Sequence, residues 1–257
     1  MKKRSKINKS NDSYEVRLNK FIADAGVCSR READKLIANG EIRVNNEVIT
    51  EMGYKVKPSD EVKYGRKLLS RQRFKYFILN KPKDYITTVD DPEGRKTVMD
   101  IMQKACNERI YPVGRLDRNT TGLLLFTNDG QLAKRLTHPS YNVQKTYMVE
   151  LDKGVSKENI EKLLKGIELE DGWTRFDKAE YGNNGKNHKV VLVTLHSGKN
   201  RIVRRMFEHL GYEVQKLDRI AFAGLKKDAL TRGKFRALNK KEIGFLKMVS
   251  KNSSTKR

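Results

Sequence analysis

Apolar and polar positions alternate in two distinct regimes along the chain. In the first, Leu18, Phe21, Ile22 and Ala25 recur at helical spacing and stop at Gly26, a common helix terminator. Ser29-Arg30-Arg31-Glu32 has the spacing of a capping box and opens a second helix, with Ala33, Leu36 and Ile37 inside and Asn39-Gly40 at its end. Two β-like runs, Ile42 to Val44 and Val48 to Ile49, are joined by Asn45-Asn46, and Val62 to Tyr64 supplies a third after Pro58-Ser59-Asp60. The pattern predicts a small helix-helix-hairpin unit over residues 15–69, behind a disordered basic arm at residues 1–14.

A short basic linker at 70–74 leads to a second domain, expected over 75–246. It starts with the strand-like Tyr76 to Asn80, which Lys81-Pro82 ends because proline cannot continue a ladder. Asp90 to Arg95 reads as an exposed loop, Val98 to Met102 as a short helix, and Leu132 with Leu136 as a helix ending near His138-Pro139. Lys145 to Leu151 alternates as a strand should, with Tyr147, Val149 and Leu151 on one face. Ile160, Leu163, Leu164 and Ile167 mark an amphipathic helix, and Val190 to Leu195 a further strand. A loop and a helix ending at Gly211 follow. Val203, Met206, Phe207 and Leu210 share one face of that helix, which leaves Arg201, Arg204, Arg205 and Glu208 on or beside the other. Residues 247–257 read as a frayed basic tail. Helices and strands mix without strict βαβ alternation, so the expected class is α+β with a mixed, mostly antiparallel sheet.

Charge narrows the partners. The chain carries 55 Lys+Arg against 32 Asp+Glu, a net +23. A field of that sign favours nucleic acid or an anionic membrane surface. No run of 18 apolar residues exists to span a membrane, and the N-terminal MKKRSKINKSNDS lacks the apolar stretch of a secretory signal, so a cytoplasmic location is expected. Cys28 and Cys106 form no CxxC pair and are expected as reduced thiols. His138, His188, His196 and His209 show no metal-ligand spacing, and no metal site is read. From Glu15 to Leu69 there are 11 Lys/Arg and 9 Asp/Glu, yet Arg17, Lys20, Arg30, Arg31 and Lys35 concentrate on the two helices.

The candidate chemistry centres on Gly114-Arg115-Leu116-Asp117-Arg118-Asn119-Thr120-Thr121-Gly122, which runs into Leu123 to Phe126 and the turn signal Asn128-Asp129-Gly130. This is a polar loop carrying one carboxylate on a buried strand. Functional groups are often presented that way, and Arg115 and Arg118 draw in a polyanion. An ordinary solvated loop has the same local pattern. Tyr147 by itself fits half-buried packing as well as catalysis, and Arg201, Arg204 and Arg205 fit a phosphate-binding face.

Taken together these stretches resemble a known family. Arg17 to Asp34 is similar to the S4-type RNA-binding domain, which grips folded RNA through phosphate contacts from its helix pair. The segment from Gly114 to Gly130 resembles the signature of the RsuA/RluB/RluF branch of pseudouridine synthases. Lys81-Pro82 resembles that family's first motif, Lys145-Thr146-Tyr147 its tyrosine motif, and Gly198 to Met206 its arginine motif. The similarity runs from about residue 75 to about 225, and the Asp117 segment is its most specific part.

The resemblance implies isomerisation of a uridine in RNA, with the C1′–N1 bond broken, the uracil rotated and a C1′–C5 bond formed. No cofactor is implied. Residue by residue, it makes Asp117 the essential carboxylate, Tyr147 the ring that stacks on the flipped base, and Arg204 the arginine paired with Asp117. Arg201 and Arg205 become phosphate contacts, with Arg115, Arg118 and Lys145 beside the substrate and Leu217 lining the uracil pocket. Arg17, Lys20, Arg30, Arg31 and Lys35 would grip RNA from the S4-type unit. Ile202, where this branch usually has Gln, and Asp218, in a region expected to be neutral or basic, depart from the pattern and could alter RNA contacts. The segments Asp91 to Val98, Asn119-Thr120 and His138 to Ser140 are closest to the RluB type, which implies a monomer acting on 23S large-subunit ribosomal RNA or its precursor particle. The RluF and RsuA types, a non-catalytic ribosome-assembly protein and a nucleoside hydrolase are the alternatives. A hydrolase would normally need a second carboxylate, and the nearest, Asp129, reads as a turn residue.

Overall fold

The computed structural model describes residues 15–182, 185 and 187–252. The basic arm expected at residues 1–14 lies outside them. The chain separates into two compact units, one ending at Arg73 and one beginning at Phe74.

In the smaller unit, helices Leu18–Asp24 and Arg30–Ala38 pack against short strands that include Ile42–Val44 and Val62–Tyr64. The capping box forms as its spacing predicts: the Glu32 amide donates to the Ser29 hydroxyl, and the Ser29 amide donates to the Glu32 carboxylate. Leu18, Ile22, Ala33, Ile37, Ile42 and Val62 close the core. The opposite helix surface is left to charge. Arg30, Arg31 and Lys35 are exposed there and Lys20 is tied to Asp24 at 2.9 Å, whereas Arg17, expected on the first helix, is exposed on the short strand Val16–Arg17 just ahead of it.

The larger unit is built on a nine-stranded sheet whose central path runs Lys178–Tyr181, Val190–Leu195, Lys145–Leu151, Val214–Phe222, Thr121–Thr127, Tyr76–Lys81, Phe235–Ala237. Pairing along the path is antiparallel except between Val214–Phe222 and Thr121–Thr127, which run parallel. The sheet is therefore mixed and mostly antiparallel, within an α+β fold. Leu123, Leu124, Leu125 and Phe126 are all fully buried, as a strand covered on both faces requires.

That single parallel junction positions the loop bearing Asp117. Gly122 lies opposite Arg219 there, with φ at +107°. A Cβ at Gly122 would sit 2.3 Å from the Arg219 carbonyl oxygen and 2.5 Å from its amide nitrogen. No side chain fits such an approach, so the glycine sets how closely the loop's exit meets the neighbouring strand.

The C-terminal end departs from expectation. Helix Lys240–Asn252 continues through the first half of the stretch read as frayed. Its Leu246 is fully buried in the core beside Val143 and Leu238, and Ser250 is buried as well, so packing holds a helix that polar composition obscures. Residues 253–257 lie outside the described residues.

Candidate active site

Asp117 opens onto a cavity of about 280 Å³ that is also lined by Arg115, Lys145, Tyr147, Arg201, Leu217 and Arg219. Its floor comes from the sheet. Tyr147 and Leu217 lie on paired strands, Tyr147 opposite Arg219 and Leu217 opposite Val149. The half-buried tyrosine packs against two apolar clusters, which hold it in the wall of the cavity that Asp117 also lines. Leu217 is 6% exposed and adds an apolar wall.

The loop itself is held from below by Lys81. This side chain is fully buried, and its Nζ lies 2.9 Å from the Thr120 carbonyl, 3.1 Å from those of Pro82 and Asp117, and 3.2 Å from that of Arg118. Thr87 adds a hydroxyl that donates to the Leu116 carbonyl at 2.7 Å, and the Asp84 amide donates to the Arg118 carbonyl at 3.0 Å. An ammonium surrounded by carbonyl oxygens replaces the water it has lost. A lysine ending a run of six buried strand residues was the available signal for this role, because a charge in such a place needs acceptors.

Several cations are not where the sequence places them. Arg204 is not the direct partner of Asp117: it is 8% exposed, and its Nη1 donates to the Val214 carbonyl at 2.7 Å. Burial, then the charge of Arg201, lowers its pKa, while Asp117 acts in the opposite direction, so Arg204 feels the carboxylate without bonding to it. The ion pair is made by Arg201, whose Nη1 stands 3.9 Å from Asp117 Oδ2. Arg201 precedes helix Ile202–His209 in a left-handed conformation, φ 45°, so it escapes the helical periodicity that groups it with Arg204. Arg205 is no free phosphate contact either, since it binds Asp171 bidentately at 2.6 and 2.9 Å. Arg118 pairs with Asp84 at 3.3 Å and does not line the cavity.

Asp218 also needs correction as a group facing RNA. It is 4% exposed and accepts from Thr121 at 2.7 Å, from Arg232 at 2.7 Å and from Lys227. The network ties the Thr121–Thr127 strand to the C-terminal segment. Arg219, absent from the sequence reading, is 2% exposed, donates through Nε to the Leu123 carbonyl at 2.8 Å and sits over the Phe222 ring.

Lys145 braces the other rim, its Nζ donating to the carbonyls of His196 (3.0 Å) and Ser197 (3.1 Å). Burial brings the pKa of Lys145 down to about 8, with repulsion from Arg219 second, and burial likewise brings Lys81 to about 8. Both are therefore mainly charged at pH 7, and both lose the proton on which their carbonyl contacts depend as pH rises through about 8. Single-turnover rates are expected to fall along a basic limb with its midpoint near pH 8; a rate unchanged across that range would remove these lysines from the working site. Stability moves the other way. Unfolded lysines hold their protons up to about 10.5, so between about 8 and 10.5 the unfolded chain binds more protons and these two groups favour the fold increasingly as pH rises.

A cavity lined by a carboxylate, an aromatic ring, an apolar wall and several cations suits a planar base carried on an anionic backbone. Comparison with known proteins agrees. Residues 75–209 match the family model for RNA pseudouridylate synthase, and residues 16–62 match the S4 domain. The chain is 43% identical over 236 residues to the ribosomal large subunit pseudouridine synthase B of Bacillus subtilis, covering 91% of this chain and 96% of that one. It is 42% identical over 234 residues to an uncharacterized RNA pseudouridine synthase of Aquifex aeolicus, covering 90% and 94%. A solved pseudouridylate synthase superposes with a TM-score of 0.64 at 30% identity, over 90% of this chain and 99% of the other. The geometry of the Asp117 cavity thus stands in a chain that belongs to the RNA pseudouridylate synthase family and carries an S4 domain.

Proposed function

We propose that this protein converts a specific uridine of large-subunit ribosomal RNA into pseudouridine, with Asp117 as the catalytic carboxylate. The observation that carries the reading is that Asp117, Tyr147 and Leu217 line one cavity of about 280 Å³, close to the lower end of small-ligand sites. Relatives named ribosomal large subunit pseudouridine synthase B, at 43% and 40% identity, support the choice of RNA.

In this reading a uridine leaves its stack, which costs about a few kcal/mol, and its base settles on the Tyr147 ring. Asp117 acts at the exposed sugar. The C1′–N1 bonding pair leaves with the base, the base turns, a pair from C5 forms the new bond to C1′, and the C5 proton ends on N1. Substrate and product are isomers, so the balance requires neither oxidant nor reductant. Arg201 faces the carboxylate, and Arg115 stands at the mouth to meet backbone phosphate. The exposed Arg17, Arg30, Arg31 and Lys35 of the S4 unit add affinity by counterion release, which weakens with salt. In this reading the protein works as a monomer in the cytoplasm.

Mapping pseudouridine in ribosomal RNA from cells with and without the protein tests the proposal. Loss of a large-subunit site, restored by the wild-type chain but not by Asp117→Asn, is the expected result. Loss confined to small-subunit RNA would overturn the choice of substrate, and an unchanged map would overturn the function.

A further inference from the structure

We propose that Trp173 forms a second base-stacking subsite at the cavity rim, which takes an unpaired nucleobase flanking the target uridine. The inference rests on RNA as the substrate and concerns a residue outside the Asp117 cavity.

Trp173 is the only tryptophan of the chain, and it is 55% exposed. Large aromatic side chains normally contribute by burial, so a tryptophan left in water is unexplained by packing. Nor does it sit on a loose loop. Ile167 and Thr174 exchange backbone hydrogen bonds at 2.9 Å in both directions, and the Gly172 amide donates to the Leu169 carbonyl at 2.8 Å. The ring lies against Gly166, where a Cβ would come within 2.3 Å of the indole Cζ2.

Two cations of the arginine-rich segment hold this loop in place. Lys199 Nζ donates to the carbonyls of Asp171 and Gly172, both at 2.7 Å, and of Trp173 at 3.3 Å. Arg205 grips the Asp171 carboxylate. Lys199 also lines the Asp117 cavity, so one side chain joins the indole loop to the rim of the site. Arg205, which the resemblance assigns to phosphate, is spent together with Lys199 on fixing the loop of an exposed aromatic ring.

The local charge selects the occupant. The Arg175 guanidinium lies over the indole at 5.7 Å from its centroid, and no carboxylate pairs with Arg175 among the described residues. Arg175 also lines a second hollow, with Asn142, Gln144 and the His196–Asp177 pair. A ring that stays 55% exposed with a cation over part of it suits single-stranded nucleic acid: the open part of the ring takes a base of any sequence, and the cation takes the adjoining phosphate. A strand with its target uridine in the first cavity then passes its neighbour to Trp173 and its backbone toward Arg175.

The lone tryptophan makes the test direct. In vitro transcribed large-subunit ribosomal RNA is titrated into the full-length protein while indole emission and binding are followed together. Emission is expected to quench in step with binding, and Trp173→Ala is expected to weaken affinity about 5- to 150-fold, with Trp173→Phe keeping most of it. Melting temperatures of both variants establish that they fold. Emission unchanged at saturating RNA, or Trp173→Ala binding as tightly as wild type, overturns the subsite, as does an effect confined to ribosomal particles containing protein. Quenching by wild-type protein that forms no pseudouridine would remove the proposed function and leave the subsite; pseudouridine formed without quenching would do the reverse.

Discussion

Asp117→Asn is expected to lower pseudouridine formation at least about a thousandfold, a loss of about 4 kcal/mol of transition-state stabilisation, while fold and RNA affinity stay near wild type. The substitution keeps the shape of the side chain and removes its charge. The loop does not depend on that carboxylate, because it is the Asp117 carbonyl that meets Lys81 Nζ at 3.1 Å and the Thr120 amide at 3.0 Å. The ion pair with Arg201 is 3.9 Å long between side chains that are 41% and 46% exposed, a contact worth about 0–1 kcal/mol. Single-turnover assays with saturating enzyme, beside filter-binding and thermal melts, separate the effects. Residual turnover above about a thousandth of wild type would count against Asp117 as the catalytic group, and a large fall in melting temperature would make it a structural one.

What the sequence reveals of this site follows the range of the interactions that build it. Local signals are legible. The Ser29 to Glu32 capping box, the alternation around Tyr147 and the loop that runs from Asp117 into Leu123 to Phe126 each depend on residues a few positions apart, and each is found as read. Contacts set by distant partners are not. Helical periodicity groups Arg201, Arg204 and Arg205, but a left-handed residue at Arg201 breaks the register, the Val214 carbonyl takes Arg204, and Asp171, 34 residues earlier, takes Arg205.

The strand Val214–Phe222 escapes for a related reason. Asp218 and Arg219 interrupt its apolar pattern, so it does not read as a buried strand, although it lies at the centre of the sheet. Both charges are buried. Thr121, Lys227 and Arg232 satisfy the aspartate, and the Leu123 carbonyl accepts from the arginine. The aspartate is met by partners from elsewhere in the fold, whereas the arginine keeps one buried nitrogen, Nη2, without a hydrogen-bond partner among the described residues; both look polar in sequence and sit in the core of the fold.

Lys81→Met carries that point to its largest testable consequence. Methionine has similar length and no charge, so it fills the space without donating. Thr120 then loses the donor to its buried carbonyl and Pro82 the donor to its partly buried one, whereas the Asp117 carbonyl keeps the Thr120 amide and the Arg118 carbonyl keeps the Asp84 amide. Each orphaned acceptor costs about 1–3 kcal/mol. Release of an ammonium whose burial lowers its pKa to about 8 offsets part of that cost. A net loss of about 1–3 kcal/mol remains, seen as a melting temperature lower by about 2–12 °C for a unit of this size. Catalysis is expected to fall further than stability, by about a hundredfold, because the loop that aims Asp117 loses its anchor and a displacement of about 1 Å suffices for such a loss. The pair of variants separates aiming from chemistry: Asp117→Asn removes the rate without touching the melt, and Lys81→Met lowers both. Wild-type melting together with a rate within about threefold of normal would show that the loop holds its shape without the lysine.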